Sequence, residues 1–286
     1  MDVYSEEELF KVIRDAYEEG TKIQVLGDGR HCKREGADEY VYTRKMDWFE
    51  IKGQSVEALA GAEVSKIRKE ASEEGLLLPT LYDGTIGGLL ATNTPSPLST
   101  AYGNPKDFTN WVRLLTPYGG IRWRVFIGSK GVVGAISRAE LKLYPKPSKI
   151  MTYEKEGVND IEKLKTFSPL VLLVDYEEGK FRVHASYTRE VGLKGFSVDE
   201  GVPVVEITSE KNEVIVEGDD FESFRKVVEL SKPAYAYWIW KSGVFVLINA
   251  DLEALRKSGV KYYTRDQPKE VYLKLKKLLD FKGIFA

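Results

Sequence analysis

The sequence predicts an α+β fold in two domains, 1–146 and 147–286, on three observations. At 286 residues the chain exceeds the ~100–200 residues of an ordinary domain and suits about two. Over the first half, β-type runs alternate with helical periodicities, punctuated by glycine-rich loops. After Pro145-Lys146-Pro147, which reads as a linker, the pattern changes to paired β runs with helices set between them, as in a sheet covered by helices.

Ser5 and Glu8 form a capping box, and Leu9, Val12, Ile13 and Ala16 then recur at helical spacing until Gly20. Strands are expected at 22–26, 40–43, 48–51 and 56–62. A helix is expected at 64–74, with Val64, Ile67 and Ala71 facing inward and Gly75 closing it. From Leu76 to Pro97 the only charge is Asp83, so this stretch is expected to be buried or to cradle a ligand. Strands at 111–116, 121–126 and 139–143 follow, with turns at Pro117-Tyr118-Gly119-Gly120 and Gly128-Ser129-Lys130-Gly131. The second half is expected to hold a hairpin of 171–175 and 181–187, strands at 204–208 and 214–217, and a helix near 221–230. An aromatic hairpin, 234–240 with 244–249, turns at Lys241-Ser242-Gly243. A short helix after Asp251 and a last helix at 269–279 complete the unit.

Composition narrows the function. The formal net charge is −2, from 42 basic and 44 acidic residues, which gives no field for a polyphosphate backbone, so nucleic acid is not an expected partner. No stretch approaches the about 18 uninterrupted apolar residues of a membrane span. The acidic start, Met1-Asp2-Val3-Tyr4-Ser5, lacks the basic and apolar regions of a secretory signal, and a cytoplasmic protein is expected. With one cysteine, Cys32, the chain cannot form an internal disulfide or hold by itself an iron–sulfur cluster of four thiolates.

The residues that point to chemistry are chiefly glycines. A strand empties into Gly27-Asp28-Gly29-Arg30-His31, where positive-φ backbone can leave N–H groups bare for phosphate oxygens; the alternative is a plain tight turn. Thr85-Ile86-Gly87-Gly88, in the uncharged stretch, reads as a second such loop, followed by Ala91 and Asn93, with the same alternative. Then come Tyr102-Gly103 with Asp107, and the run Gly128-Ser129-Lys130-Gly131-Val132-Val133-Gly134-Ala135-Ile136. His184 and Arg182 share a strand face with Ser186 and could serve as base and carboxylate anchor; the alternative is the solvated face of an edge strand. The strand Tyr235-Ala236-Tyr237-Trp238-Ile239-Trp240 carries aromatics on both faces, read as core plus an interface. No metal site is expected.

Taken in order, these motifs resemble the FAD-binding domain of the vanillyl-alcohol-oxidase-type (PCMH-type) flavoproteins. More narrowly, they resemble the FAD-binding subunit of glycolate oxidase and related 2-hydroxy-acid dehydrogenases. The likeness covers most of the chain, and Thr85-Ile86-Gly87-Gly88 with Ala91 and Asn93 is its most specific part. The Pro145/Pro147 exit and the final Asp280-Phe281-Lys282-Gly283-Ile284-Phe285 are similar to family motifs as well.

The resemblance implies a two-subdomain FAD-binding domain, about 1–54 and 55–146, followed by a smaller α+β domain with an antiparallel sheet that binds substrate or a partner. It implies that FAD is held at Gly27, Asp28, Gly29, Arg30 and His31, and at Thr85, Ile86, Gly87, Gly88 and Asn93. Tyr102, Gly103, Asp107, Gly128, Ser129, Gly131, Val132, Gly134 and Ile136 complete the implied set. The first two loops would take the pyrophosphate, and Gly131 to Ile136 would lie along the adenosine. Some relatives attach flavin through a histidine in the first loop. Here Arg30 stands at that place and His31 follows it, so non-covalent FAD is expected. The implied partners are a larger flavoprotein and an iron–sulfur subunit, through which the chain would reach a membrane surface. The implied substrate is a small 2-hydroxy acid such as glycolate or lactate. The segment between Thr116 and Gly128 is shorter than in the family, and the tail ending at Ala286 is not expected to supply an active-site group. Two other readings stay open: an accessory subunit with a degenerate flavin site, and an NADPH-dependent reductase of the UDP-N-acetylenolpyruvoylglucosamine type.

Overall fold

The computed structural model describes residues 1–30, 34–205, 212–264 and 267–286. His31 and Cys32 lie outside the described residues, as does most of the expected strand 204–208; Val204 and Val205 belong to no strand. Helix α1 (Glu6–Glu19) starts where the Glu8 N–H donates to Ser5 Oγ at 3.2 Å and stops at Gly20 in the left-handed region. Its face of Leu9, Ile13 and Ala16 packs near a parallel strand pair, β1 (Ile23–Leu26) and β2 (Glu39–Tyr42), contributing to one core with Ile23 and Val41.

Next come β3 (Phe49–Lys52), β4 (Ser55–Leu59), α2 (Val64–Glu73), β5 (Leu76–Leu77), α3 (Ile86–Thr92) and α4 (Ser99–Tyr102). They are followed by β6 (Thr109–Thr116), β7 (Gly119–Arg122), β8 (Ala135–Lys142) and β9 (Tyr144–Pro145). Five of these strands form an antiparallel sheet in the order β3-β4-β8-β6-β7. Val56, Ala58, Val112, Leu114, Ala139 and Leu141 turn one face of it toward α2 and α3, which supply Val64, Ile67, Ala71, Ile86, Leu89 and Leu90.

The second half comprises β10 (Met151–Glu156), α5 (Ile161–Thr166), β11 (Val171–Glu177), β12 (Lys180–Tyr187), β13 (Ser197–Glu200) and β14 (Glu213–Glu217). Then follow α6 (Phe221–Ser231), β15 (Tyr235–Ile239), β16 (Val244–Ile248), α7 (Leu252–Lys257), β17 (Tyr262–Thr264) and α8 (Glu270–Leu279). Its strands make an antiparallel sheet in the order β13-β10-β12-β11-β15-β16-β14-β17. Leu172, Val174, Val183, Ala236, Trp238 and Leu247 share a core with α5, α6 and α7. The opposite face, with Leu173, Tyr235, Tyr237, Ile239 and Val246, meets Leu98, Leu77 and Tyr102 of the first half. Both aromatic faces of β15 are thus covered within the chain. The Leu172 N–H donates to Thr100 Oγ1 at 3.0 Å, tying α4 to β11.

Helix α8 leaves the second sheet and returns to the first half, where Tyr272, Leu275 and Leu279 join the five-stranded sheet's core. Beyond it, Ile284 and Phe285 enter the α1 core, and Phe285 bridges Ile23 in parallel.

Four local expectations are corrected. The stretch 121–126 is not one strand: β7 stops at Arg122 and a 3₁₀ turn, Arg124–Phe126, follows, because Phe126 and Ile127 are adjacent core residues that an alternating strand would place on opposite faces. The strand expected at 139–143 begins at Ala135. Thr85 to Gly88 is not a loop but the cap and first turn of α3, whose Ile86, Leu89 and Leu90 recur at helical spacing behind the two glycines. Finally, β12 is not an edge strand, since β10 flanks it on the side away from β11.

Candidate functional site

Where β1 ends, the chain turns through Gly27, Asp28 and Gly29, with Gly29 at φ +79°. The turn is braced on one side by Arg30, whose backbone N–H and Nε donate to Asp28 Oδ1 and Oδ2 at 3.0 and 2.6 Å. Arg30 Nη2 also donates to the Asp83 carbonyl at 2.9 Å, so this guanidinium fastens the turn to the segment entering α3. On the other side the turn touches α3 itself. A Cβ on Gly27 would lie 2.2 Å from Thr85 Oγ1, so glycine is what lets the two segments meet.

The N-terminus of α3 has its donors occupied. The Ile86 and Gly87 N–H groups donate to the carbonyls of Ala62 and Ala60 at 2.9 and 2.8 Å, and the Gly88 N–H to Thr85 Oγ1 at 3.3 Å. Over Ile86–Gly88 the amides are therefore not bare, and this segment offers its glycine Cα surface instead. By contrast, the N–H groups of Gly27, Gly29 and Gly131 have no acceptor among the described residues. The third wall is the 128–134 loop, stapled to the end of α3 by Gly128 N–H to Leu90 O at 2.8 Å and Lys130 N–H to Ala91 O at 2.9 Å. Gly134 packs so closely that a Cβ would come within 2.6 Å of the Leu115 carbonyl.

These walls enclose a cavity of about 420 Å³. Gly27, Asp28, Gly29, Thr85, Gly87, Gly88, Gly131, Val132, Gly134 and Ile136, all expected from the sequence, line it. Gln24, Ala60, Tyr82, Lys130, Pro268 and Ala286 line it as well. The tail reaches this cavity through Ala286. Arg30 and Ile86 do not line it: Arg30 braces the turn from outside, and Ile86 is a core residue with no exposure.

A second cavity of about 220 Å³ shares Thr92 and Lys130 with the first and lies between the two halves. Asn93 and Gly128 open into it, with Lys106 and Lys269, the phenols of Tyr237, Tyr263 and Tyr272, and the carboxylate of Glu213. Asn104, also in this wall, donates from Nδ2 to the Ser242 carbonyl at 2.8 Å and joins the halves. The Tyr272 hydroxyl donates to Ile127 O at 2.5 Å, and burial pushes the phenols of Tyr263 and Tyr272 above the usual tyrosine pKa. Burial pulls Lys269 down, but the Glu217 carboxylate 2.5 Å away and the Tyr263 phenol outweigh it, and the ammonium is held above its ordinary pKa.

Tyr102, Gly103, Asp107 and Ser129 line neither cavity. Asp107 Oδ2 accepts from the Asn104 N–H at 2.8 Å, and Gly103, at φ +77°, leaves room for the Asp107 side chain, so this pair presents Asn104. Tyr102 packs with a tilted ring against Tyr144, their centroids 4.6 Å apart, and Ser129 is fully buried. Arg182 and His184 also stand apart from both cavities. His184 is buried, with Nδ1 3.4 Å from Glu154 Oε2 and Nε2 3.3 Å from Asp175 Oδ2, while Arg182 Nε lies 3.3 Å from Glu154. Carboxylates from β10 and β11 thus enclose this pair in mid-sheet. Among the described residues, no group of three or more potential ligands could hold a metal ion, and no helix is long and apolar enough to cross a membrane.

The residues missed by sequence reasoning include Tyr82, Lys106, Lys130, Glu213, Pro268, Lys269, Tyr272 and Ala286. Lys130 sits inside a motif that was recognised, Tyr82 within the uncharged stretch, and Lys106 just before Asp107, but Glu213 and the last four come from segments of the second half that only the fold brings back.

Residues 2–123 match the family described as FAD binding domain. No curated protein matches the sequence at a significant level. Among solved structures, alkyldihydroxyacetonephosphate synthase in P212121 is similar with a TM-score of 0.71 at 14% identity, covering 100% of this chain and 75% of that one. The same synthase in P1 gives 0.68 at 16%, covering 100% and 76%. At such identities the likeness is one of fold. The architecture is that of a PCMH-type FAD-binding domain followed by an antiparallel α+β unit, and FAD is the cofactor it binds. The site fits that cofactor: bare glycine amides suit a pyrophosphate, and two adjoining cavities that share Thr92 and Lys130 suit an elongated molecule with a nucleoside at one end and a ring system at the other.

Proposed function

We propose that this chain is the FAD-binding subunit of a flavin-dependent 2-hydroxy-acid dehydrogenase, taking glycolate, lactate or a close analogue. The observation that carries the reading is the second cavity: it adjoins the glycine-walled one through Thr92 and Lys130 and is lined by Lys106, Lys130 and Lys269 beside Glu213. The N–H groups of Gly27, Gly29 and Gly131 would bind the pyrophosphate without a covalent link. FAD, when bound, supplies the acceptor for the hydride leaving the substrate carbon. The lysines would hold the substrate carboxylate by charge-assisted hydrogen bonds. Glu213, the one carboxylate among the described residues lining this cavity, would accept the hydroxyl proton, so that the alcohol leaves as a 2-oxo acid. Tyr263, its phenol kept neutral by burial, would donate a hydrogen bond and not act as a base, while the Tyr272 hydroxyl stays engaged with the Ile127 carbonyl.

Electrons would pass on to a larger flavoprotein and an iron–sulfur partner in the cytoplasm, since this chain's one cysteine cannot hold a cluster of four thiolates. A second reading, an accessory subunit with a weakened flavin site, is favoured by one observation, the occupied N–H groups at the start of α3. Flavin released by denaturing the washed chain, measured by absorbance and chromatography, separates the two. Near-stoichiometric FAD that is lost in Gly88→Trp, where a Cβ already comes 2.6 Å from the Tyr82 hydroxyl, supports the first reading. Anaerobic bleaching of that flavin by glycolate or lactate supports the substrate class. No flavin, even after incubation of folded chain with excess FAD, refutes the flavoenzyme reading.

A further inference from the structure

Pro268 and Ala286 line the larger cavity although both lie far along the chain from the glycine motifs that build it. The cause is a strap that begins at α8. Tyr272 anchors the helix on Ile127, and one turn later Lys276 Nζ donates to the carbonyl of Val132, itself a cavity residue, at 3.2 Å. The same ammonium lies 2.8 Å from Asp280 Oδ2 and donates to the Phe285 carbonyl. Asp280 has no side-chain exposure. Its Oδ1 and Oδ2 accept from the backbone N–H groups of Ile284 and Phe285 at 2.8 and 3.0 Å, which folds the chain back on itself. Phe285 then bridges Ile23: the Ile23 N–H donates to Ile284 O at 2.7 Å and the Ala286 N–H to Ile23 O at 2.9 Å. Ile284 and Phe285 are buried against Leu9, Ile13 and Val41. One cation therefore joins the Val132 wall to the strap, and the strap adds itself beside β1, whose Gln24 and Val25 line the same cavity.

We infer that the Lys276–Asp280 pair is a latch that sets the spacing of the flavin cavity's two walls, and that FAD binding and docking of the strap are coupled. The inference rests on the reading of the larger cavity as the FAD site. Lys276 and Asp280 are positioning residues and touch no ligand. Replacing Lys276 leaves the buried Asp280 carboxylate without its cation, which favours release of the strap. Coupling between two sites is reciprocal and commonly amounts to ~5–150-fold in affinity.

The test uses the full chain. The FAD dissociation constant is measured by quenching of flavin fluorescence for wild type, Lys276→Met and Lys282→Ala. Lys282 reaches instead to the Tyr17 carbonyl at 2.6 Å and serves as the neighbouring control. Hydrogen exchange of the Ile284 and Ala286 amides is followed in wild type with and without FAD. The expected result is a loss of affinity within that ~5–150-fold range in Lys276→Met only, and slower exchange of both amides when FAD is bound. A latch that stabilised the fold without coupling to the cofactor would leave the exchange rates unmoved by FAD. Unchanged affinity in Lys276→Met, or exchange indifferent to FAD, overturns the inference. Failure of wild type to bind FAD refutes the flavin reading instead. If Lys276→Met does not fold, the exchange experiment on wild type decides alone.

Discussion

Gly27→Ala places one methyl group between the two segments that meet at the cavity mouth. The added Cβ would lie 2.2 Å from Thr85 Oγ1 and 3.2 Å from its Cβ and Cγ2. Gly27 is not among the positive-φ glycines, so the penalty is steric and not conformational. Thr85 is buried and caps α3, and it cannot rotate away without giving up its bond to the Gly88 N–H. Overpacking of a tight site costs ~1–3 kcal/mol and a lost N-cap ~0.5–2 kcal/mol, so the variant should lose about 2–4 kcal/mol. Thr85→Ala alone should lose about 1 kcal/mol, for the cap. In the double variant the hydroxyl that clashes is gone, and stability should fall little below that of Thr85→Ala, so the coupling is nearly the whole cost of Gly27→Ala alone, about 2–4 kcal/mol. Urea unfolding of the four proteins without cofactor gives the cycle, provided the slopes agree. Flavin content should follow it: lost in Gly27→Ala and partly regained in the double variant. Strict additivity would show that the two segments do not meet as described.

Two further outcomes follow from the site and the second core. Lys269→Met should weaken a hydroxy-acid analogue such as oxalate, titrated through the flavin spectrum, by ~10–150-fold if this ammonium holds the carboxylate with a bond of about 1.5–3 kcal/mol; unchanged affinity would remove Lys269 from the substrate site. Tyr187, whose hydroxyl donates to Leu164 O at 3.0 Å, has its pKa pushed by burial from 10.0 to about 12. The folded chain holds this proton more tightly than the unfolded chain. Its contribution is therefore complete below pH 10, is lost as pH rises through 12, and amounts to about 2–3 kcal/mol. Stability measured across that window should decline less in Tyr187→Phe than in wild type, and equal slopes would count against the assignment.

Elements carrying their own punctuation were legible in the sequence. Helix α1 has a cap, a spaced apolar face and a closing glycine, and it forms between those signals. The β15–β16 hairpin has its turn residues between two apolar runs. Helix α3 was hidden because Gly87 and Gly88 read as a loop, while the information that makes it a helix lies in Ile86, Leu89 and Leu90 finding a sheet to cover. Strand β10, Met151–Glu156, has little apolar periodicity and pairs because β12 and β13 are there to receive it. For the same reason His184 could not be judged from its own strand: Glu154 and Asp175, which surround it, come from neighbours whose register no local pattern discloses.

The site divides along the same line. The glycines of the first cavity are visible because close approach and positive φ restrict residue type at single positions, whatever the rest of the chain does. The second cavity and the strap place no such restriction. Lys269 reads as an ordinary solvated cation before α8, and Tyr272 and Lys276, one turn apart on the same face, read as ordinary positions of an amphipathic helix. Their roles arise because α8 crosses back from the eight-stranded sheet to Ile127 and Val132. A cofactor bridging both cavities would then touch walls drawn from β1, α3, the 128–134 loop and the segment around α8, which are joined only in the folded chain. Its binding energy would therefore favour the assembled arrangement of the two halves over either half alone.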